Sequence, residues 1–558
     1  MIANRARRWA KTLMPGLLIA ATLNAQQPVQ VASADPSNTK DDISTLKQQL
    51  ADQQKQLEQL RTAMQKQQEL IERATKQMEA TEAVRRNPAA SLGEVASTTP
   101  VLPMPAVAVP ANQPINVMGA QVQPGNGDNP LYVQIGAARF TPLGFVDAMN
   151  ITRSTNTGGA LGTGFNNFPY SNTAPGNLTE TRFSLQNSRL GLRIDSKILG
   201  YDVLGYWESD FLGNAPTNLY TTSNADTFRL RLLYVDLKKD TFEFLGGQSW
   251  SLFTPGRKGI SPIPSDIFYT QDVDTNYQAG LTWARQAGFR GVWHPNPHFH
   301  WAFAVEDPEQ YIGGAVVLPG GASGSTPASA LNTALTAQLN QGALNSTPNL
   351  MPDLISKVAF DGTAPGHSSH LEIVGLFRAF KTYNPTNTTH YTTTGGGISL
   401  NGNVEIVKNI RLVGTTFWSD GGGRYIGGLV PDLTVDAQGQ PHALHSGSGI
   451  GGIEAQATKN LLIYGYYSGI YIQKGVQIDS NGKPIGYGYT GSANSANRSI
   501  QEITFGFTQN FWKSPQWGAL SLMMQYSYLT RNPWYLAAGA LDSASLQMGY
   551  VNLRYTLP

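Results

Sequence analysis

Hydrophobic and polar residues alternate with a period of two over more than 400 residues of this chain, and the alternation fixes how most of it folds. In TFRLRLLYVDLKKD (227–240), Phe228, Leu230, Leu232 and Tyr234 fall on one side of an extended strand, and Arg229 and Arg231 fall on the other. In 499–512, Ile503, Phe505, Phe507 and Phe511 alternate with Glu502, Thr504, Gly506, Thr508 and Asn510, so one face suits lipid and the other water. Arginine facing hydrocarbon would cost a few kcal/mol, about 2–4 at the bilayer midplane. The polar face therefore belongs to an aqueous lumen, with Phe228, Leu230 and Leu232 toward lipid.

From 130 onward, short connections alternate with long ones. The short ones lie at 196–200, 239–240, 294–298, 362–367, 407–409, 458–460 and 513–516. The long ones lie at 153–180, 213–227, 252–275, 307–354, 384–390, 421–447, 474–498 and 532–543. Seven turns and eight loops predict sixteen antiparallel strands closed into a transmembrane barrel, an all-β fold with short turns at the periplasmic end. Trp293 and Trp301 bracket one turn, and Trp512 and Trp517 bracket another, where an interfacial girdle belongs. The last residues, GYVNLRYTLP, put Val551, Leu553, Tyr555 and Leu557 on one face, as in a closing strand.

The N-terminal part follows other periods. Ile43, Leu50, Leu57, Met64, Ile71 and Met78 recur every seven residues, and Leu46, Gln53, Leu60, Gln67, Ala74 and Thr81 follow three positions on. This predicts an α-helical coiled-coil stalk over 41–84, about 60 Å long, whose strand number the a and d residues leave open. Residues 85–129, rich in Pro, Ala and Val, predict an extended linker. Before the stalk, Arg5, Arg7, Arg8 and Lys11 precede an apolar run from Leu13 to Leu23, the order of an export signal over 1–25, with cleavage after Ala25 or after Ala34.

Composition narrows the function. The chain of 558 residues has no cysteine, which excludes disulfides, thiolate nucleophiles and cysteine-bound zinc. Loss of 1–25 removes four of the 40 Lys/Arg and no acid, leaving 36 against 38, so a nucleic-acid partner is not expected. No nucleophile elbow, phosphate loop or HExxH is present, so neither catalysis nor a cofactor is expected. His294, His298 and His300 read as turn and girdle packing. Asp272, Asp274 and Asn276 alternate as calcium ligands would, but without the glycine and distal glutamate of a known loop they read as a solvated segment.

The charged residues best placed for function face inward. Around Leu190, Leu192 and Ile194, the inward positions are Arg189, Arg193 and Asp195, with a phase break near 186–188 that predicts a bulge. Val203 and Trp207 outward leave Glu208 and Asp210 inward. With Arg229 and Arg231 on the following strand, neighbouring walls carry opposite charges, which can set up a field across a pore or stiffen its wall. The long loop after the fifth strand is placed either to fold inward and bring Arg257, Lys258 and Asp266 to a constriction or to lie outside at a subunit interface.

At SRLGLRID (188–195), YWESDFLG (206–213), FRLRLLYVDL (228–237) and GGQSWSLF (246–253), the sequence resembles the DcaP-like family of trimeric outer-membrane porins. The resemblance is clear over roughly 180–285 and is architectural beyond that. It implies a homotrimer joined through coiled coil and barrel, a periplasmic stalk, and passage of small anions such as dicarboxylates. Its pore arginines correspond to Arg189, Arg229 and Arg231; Arg193 and the loop residues come from the strand pattern alone. From 130 onward there are 27 Lys/Arg and 27 Asp/Glu, so any anion preference must come from local placement. The other reading is an envelope tether, with the barrel as lipid anchor and the stalk contacting the cell wall.

Overall fold

The structure, a computed structural model, describes 132–158, 161–213, 227–308, 316–319, 350–364, 367–427, 429–514 and 517–558, together with 121–122 and three helical, exposed residues, Ala51, Gln54 and Glu58. The chain divides into two units, 1–86 and 87–558. The expected export signal (1–25), the coiled coil (41–84) but for those three residues, and the linker (85–129) but for 121–122 lie outside the described residues.

Sixteen strands close an antiparallel barrel: β1 (Ala138–Arg153), β2 (Glu180–Ser184 continued by Arg189–Ile198), β3 (Tyr201–Asp210), β4 (Arg229–Lys239), β5 (Phe242–Trp250), β6 (Arg285–Asn296), β7 (Phe299–Glu306), β8 (Asp353–Ala364), β9 (His367–Asn384), β10 (Thr389–Val407), β11 (Ile410–Asp420), β12 (His445–Thr458), β13 (Leu461–Ile472), β14 (Asn497–Ser514), β15 (Gly518–Pro533) and β16 (Ala544–Thr556). Closure comes from β16 pairing with β1, with Leu553 opposite Ala148 and Tyr555 opposite Val146. A closed barrel leaves no unpaired edge, so every strand amide can be satisfied without water. Val133–Ile135 forms a short hairpin with the start of β1.

The outer face is apolar along its length, with Leu190, Leu230, Phe244, Phe289, Phe505 and Leu553 all exposed. Aromatic pairs ring the short-turn end: Phe242 stacks on Trp293 at 6.5 Å, and Phe299 meets Phe360 edge-on at 5.2 Å. The interruption of β2 at 185–188 falls where the sequence predicts a bulge.

Two expectations change. The connection expected as a long loop at 384–390 is only four residues, 385–388. Its strands, β9 and β10, run 18 and 19 residues instead, because the Thr-rich stretch after it continues the hairpin. The second change is in β4. Glu208 stands opposite Leu232 and Ser209 opposite Leu230, so Arg231 is an extra residue with no partner in the β3 register. The bulge reverses the phase: Leu232 and Tyr234 turn inward and are buried, and Leu233 and Val235 face out. The expectation that Leu232 faces lipid is thus overturned. Two buried carboxylates, Glu208 and Asp210, need a cation between them, and the bulge delivers it. Gln248 on β5 donates from Nε2 to the Arg231 carbonyl at 2.9 Å, satisfying the backbone acceptor that the bulge releases.

Candidate functional site: a charged wall and an inward loop

Arg189, Glu208, Asp210 and Arg231 all face into the barrel and are no more than 4% exposed. Arg231 donates from Nε to Glu208 at 2.6 Å and from Nη1 to Asp210 at 2.7 Å. Arg229 makes a two-pronged pair with Asp210, at 3.0 and 2.8 Å, while staying 36% exposed. Arg189 Nη1 lies 3.6 Å from Glu208. Three guanidinium groups thus share two carboxylates, an excess of one positive charge on this stretch of wall. Arg193, lower on β2, is half-buried and held by its neighbour Asp195 at 2.8–3.0 Å. The Arg231 and Arg285 guanidinium groups both lie over the Trp250 ring, at 5.8 and 5.5 Å, adding a further cation beside the cluster.

The third loop, 251–284, folds into the barrel. Working round the wall, Leu252 N bonds Glu306 on β7 at 2.7 Å, Gly256 N bonds Glu372 on β9 at 3.0 Å, and Gln271 N bonds the Tyr466 hydroxyl on β13 at 3.0 Å. Ala279 N reaches Glu502 on β14 at 2.8 Å, and the Tyr550 hydroxyl on β16 donates to Asp274 at 2.6 Å. In three of these contacts a wall carboxylate accepts a loop amide, and in the other two a wall tyrosine hydroxyl accepts from the loop or donates to it. Gly256 is required by this seating: a Cβ there would lie 2.7 Å from Glu372 Oε1.

The three loop residues expected at a constriction have different fates. Arg257 is buried and crosses the interior to Glu454 on β12, at 2.9 and 2.7 Å, so it ties the loop down. Lys258 is exposed. Asp266 is half-buried, and burial holds its carboxyl above the ordinary range against the opposing pull of Ser261, Lys258 and Arg193. Asp272 and Asp274 are buried rather than solvated, which corrects the reading of that segment. Asp274 accepts from Thr163, Asn276 and Tyr550, clamping the first loop against the third. Asp272 is pushed well above the usual carboxylate range by burial beside Glu502 and Asp274. Among the described residues no group of His, Asp and Glu has the arrangement of a metal site.

Sequence periodicity missed the groups whose partners lie far away in the chain. Asp147 on β1 receives Arg554 at 2.8 Å, Asn552 at 3.2 Å and Asn187 at 2.6 Å. Arg378 on β9 joins Asp353 at 3.1 Å and Asp432 of the sixth loop at 2.9 Å. His294 and His300 point inward, not into a girdle, and form part of a line of polar side chains with Asp361, His370 and Glu372. Inward placement at a strand position was the available signal for each; the pairing was not.

The chain has the DcaP channel fold. The outer-membrane channel DcaP of Acinetobacter baumannii aligns with a TM-score of 0.54 at 15% identity, over 76% of this chain and 98% of that one. An anion-selective porin from Comamonas acidovorans aligns at a TM-score of 0.40 and 12% identity over 75% and 99%, and OprB of Pseudomonas putida at 0.41 and 10% over 74% and 94%. No family model matches the sequence, and no curated protein does.

Proposed function

We propose that this chain is a bacterial outer-membrane porin for passive diffusion of small hydrophilic solutes, favouring small anions such as dicarboxylates, and that it is not an enzyme. The observation that carries this is the third loop seated inside a closed barrel with an apolar outer and polar inner face, which suits a narrowed aqueous passage. Anion preference follows from Arg189, Arg229 and Arg231 outnumbering Glu208 and Asp210 on one wall, with Arg193 below them and exposed Lys258 on the loop. In this reading the assembly is a homotrimer in outer-membrane lipid, with the 41–84 helix as a periplasmic stalk. Planar-bilayer recording of the full chain under a salt gradient tests it. Discrete conductance steps with an anion-selective reversal potential are expected; a reversal potential of cationic sign would remove the anion preference, and absence of conductance from inserted protein would remove the porin.

The tether reading is favoured by a different feature. Phe165 and Phe168 of the first loop, Phe253 of the third, and Tyr425 and Ile426 of the sixth join one buried apolar cluster with the wall residues Ile151, Val292 and Ile355. Phe253 packs at 4.7 Å from Phe417 and 4.9 Å from Tyr425. A barrel so filled serves as an anchor, and the same recording separates the two readings.

A further inference from the structure

At the long-loop end of the outer wall, three neighbouring strands bring two cations to one indole. Trp534 follows β15, and its ring is fixed from three sides. Nε1 donates to the Ile472 carbonyl at 2.9 Å, and Tyr471 on β13 meets the ring edge-on at 6.2 Å. Gly488 of the seventh loop (473–496) packs so closely that a Cβ there would lie 2.6 Å from Trp534 Cδ1. Over this ring lie Lys474 Nζ at 4.8 Å and Arg498 Cζ at 6.0 Å.

Arg498 is there because β14 breaks phase. Ile500, Glu502 and Thr504 are buried on the inner side, so strict alternation would turn Arg498 into the lumen. Instead Asn497 pairs with Pro533 and Ser499 with Asn532, which leaves Arg498 as an extra residue with no partner on β15, and it is exposed. Among the described residues, neither Arg498 nor Lys474 has an ion pair or a side-chain hydrogen bond. The acids of the adjoining loops are engaged elsewhere. Asp479 accepts from the Asn481 and Lys483 amides at 2.8 Å, and Asp542 accepts from the Ser543 hydroxyl at 3.2 Å. Two like charges held at one ring repel each other, and an anion between them relieves that repulsion.

The level of the cluster on the wall says which anion. Toward the middle of the barrel from it, Tyr467 and Tyr471 of β13 and Tyr526 and Tyr528 of β15 are exposed on the lipid-facing side, the aromatic belt of a membrane interface. We propose that Lys474, Arg498 and Trp534 form a binding site for the phosphate of a lipid headgroup in the outer leaflet. The ammonium is a point charge and the guanidinium a planar fork, and both suit phosphate oxygens. The indole closes the site on the barrel side, and the acyl chains run down along the tyrosines. Of the porin reading, this inference takes only the placement of the barrel in the outer membrane.

Native mass spectrometry tests it, on the full chain folded in detergent and titrated with lipid A, an acylated disaccharide carrying two phosphates. The unaltered chain retains this lipid more strongly than the same lipid stripped of phosphate. Lys474→Gln/Arg498→Gln binds it roughly thirtyfold more weakly, the effect of two lost cations at a membrane surface. Lys483→Gln, exposed in the same loop, binds as the unaltered chain does. Equal retention of the two lipids by the unaltered chain overturns the site without recourse to any variant. So does undiminished binding by the double variant in its folded, heat-modifiable form, or an equal loss in Lys483→Gln. Inorganic phosphate at the concentration of the lipid leaves the lipid bound; displacement by it would make this a site for free phosphate and overturn the headgroup assignment. None of these measurements depends on whether the barrel conducts, so failure here leaves the porin reading standing, and absence of conductance leaves this site standing.

Discussion

Arg231 shows how much one side chain decides. It is buried between two carboxylates on β3, and Arg229 is held by one of them while remaining in contact with solvent. Removing one partner of a buried ion pair leaves uncompensated charge and costs about 3–5 kcal/mol, whereas a part-exposed pair is worth about 0–1 kcal/mol. Arg231→Ala should therefore lower the temperature at which the barrel loses its compact gel mobility well below that of Arg229→Ala. Both substitutions shift the reversal potential toward cations, because Glu208 and Asp210 lose a balancing charge. Equal thermal stability of the two variants would mean that the Arg231 pairs do not hold the wall together.

Among the elements, β4 and the third loop depart most from what a regular pattern predicts. Strict alternation turns Leu233 inward; the bulge at Arg231 turns it to lipid. Leu233→Arg is accordingly expected to impair insertion into vesicles by up to about 2–4 kcal/mol, depending on depth, measured as the folded fraction on an unheated gel. Normal insertion would return β4 to regular alternation. The loop makes a separate prediction. Gly256→Val puts side-chain atoms into Glu372 and His370, which lie 2.7 and 3.4 Å from the nearest position of a Cβ. It should unseat the loop, raising its susceptibility to added protease, while β8 and β9 remain paired.

Taken whole, the barrel closes through β16 and β1, and every described strand pair lies within 121–558. Deleting 41–84 should leave heat-modifiable gel migration intact, since the barrel's core and strand pairs lie within 121–558. Loss of that migration would make the helical segment part of the barrel's folding unit. In the same deletion, loss by crosslinking of the proposed trimer is expected if the heptads drive assembly, and its retention would remove them from that role.

The sequence by itself determined the class, the strand number and which side of most strands meets lipid, because a period of two in a closed sheet admits only two faces with different solvents. It placed Arg189, Arg193, Glu208, Asp210, Arg229 and Arg231 on the inner side, where they lie, and it allowed the third loop an inward course. The tertiary structure decided the partners. Whether Arg257 finds Glu454, Asp147 finds Arg554, or His294 finds His300 depends on strand stagger and on how one loop crosses the lumen, and local spacing carries no record of either. The bulge at Arg231 belongs to the same class: the two-residue rhythm reads through it, and only the need to place a cation between two buried carboxylates breaks the phase.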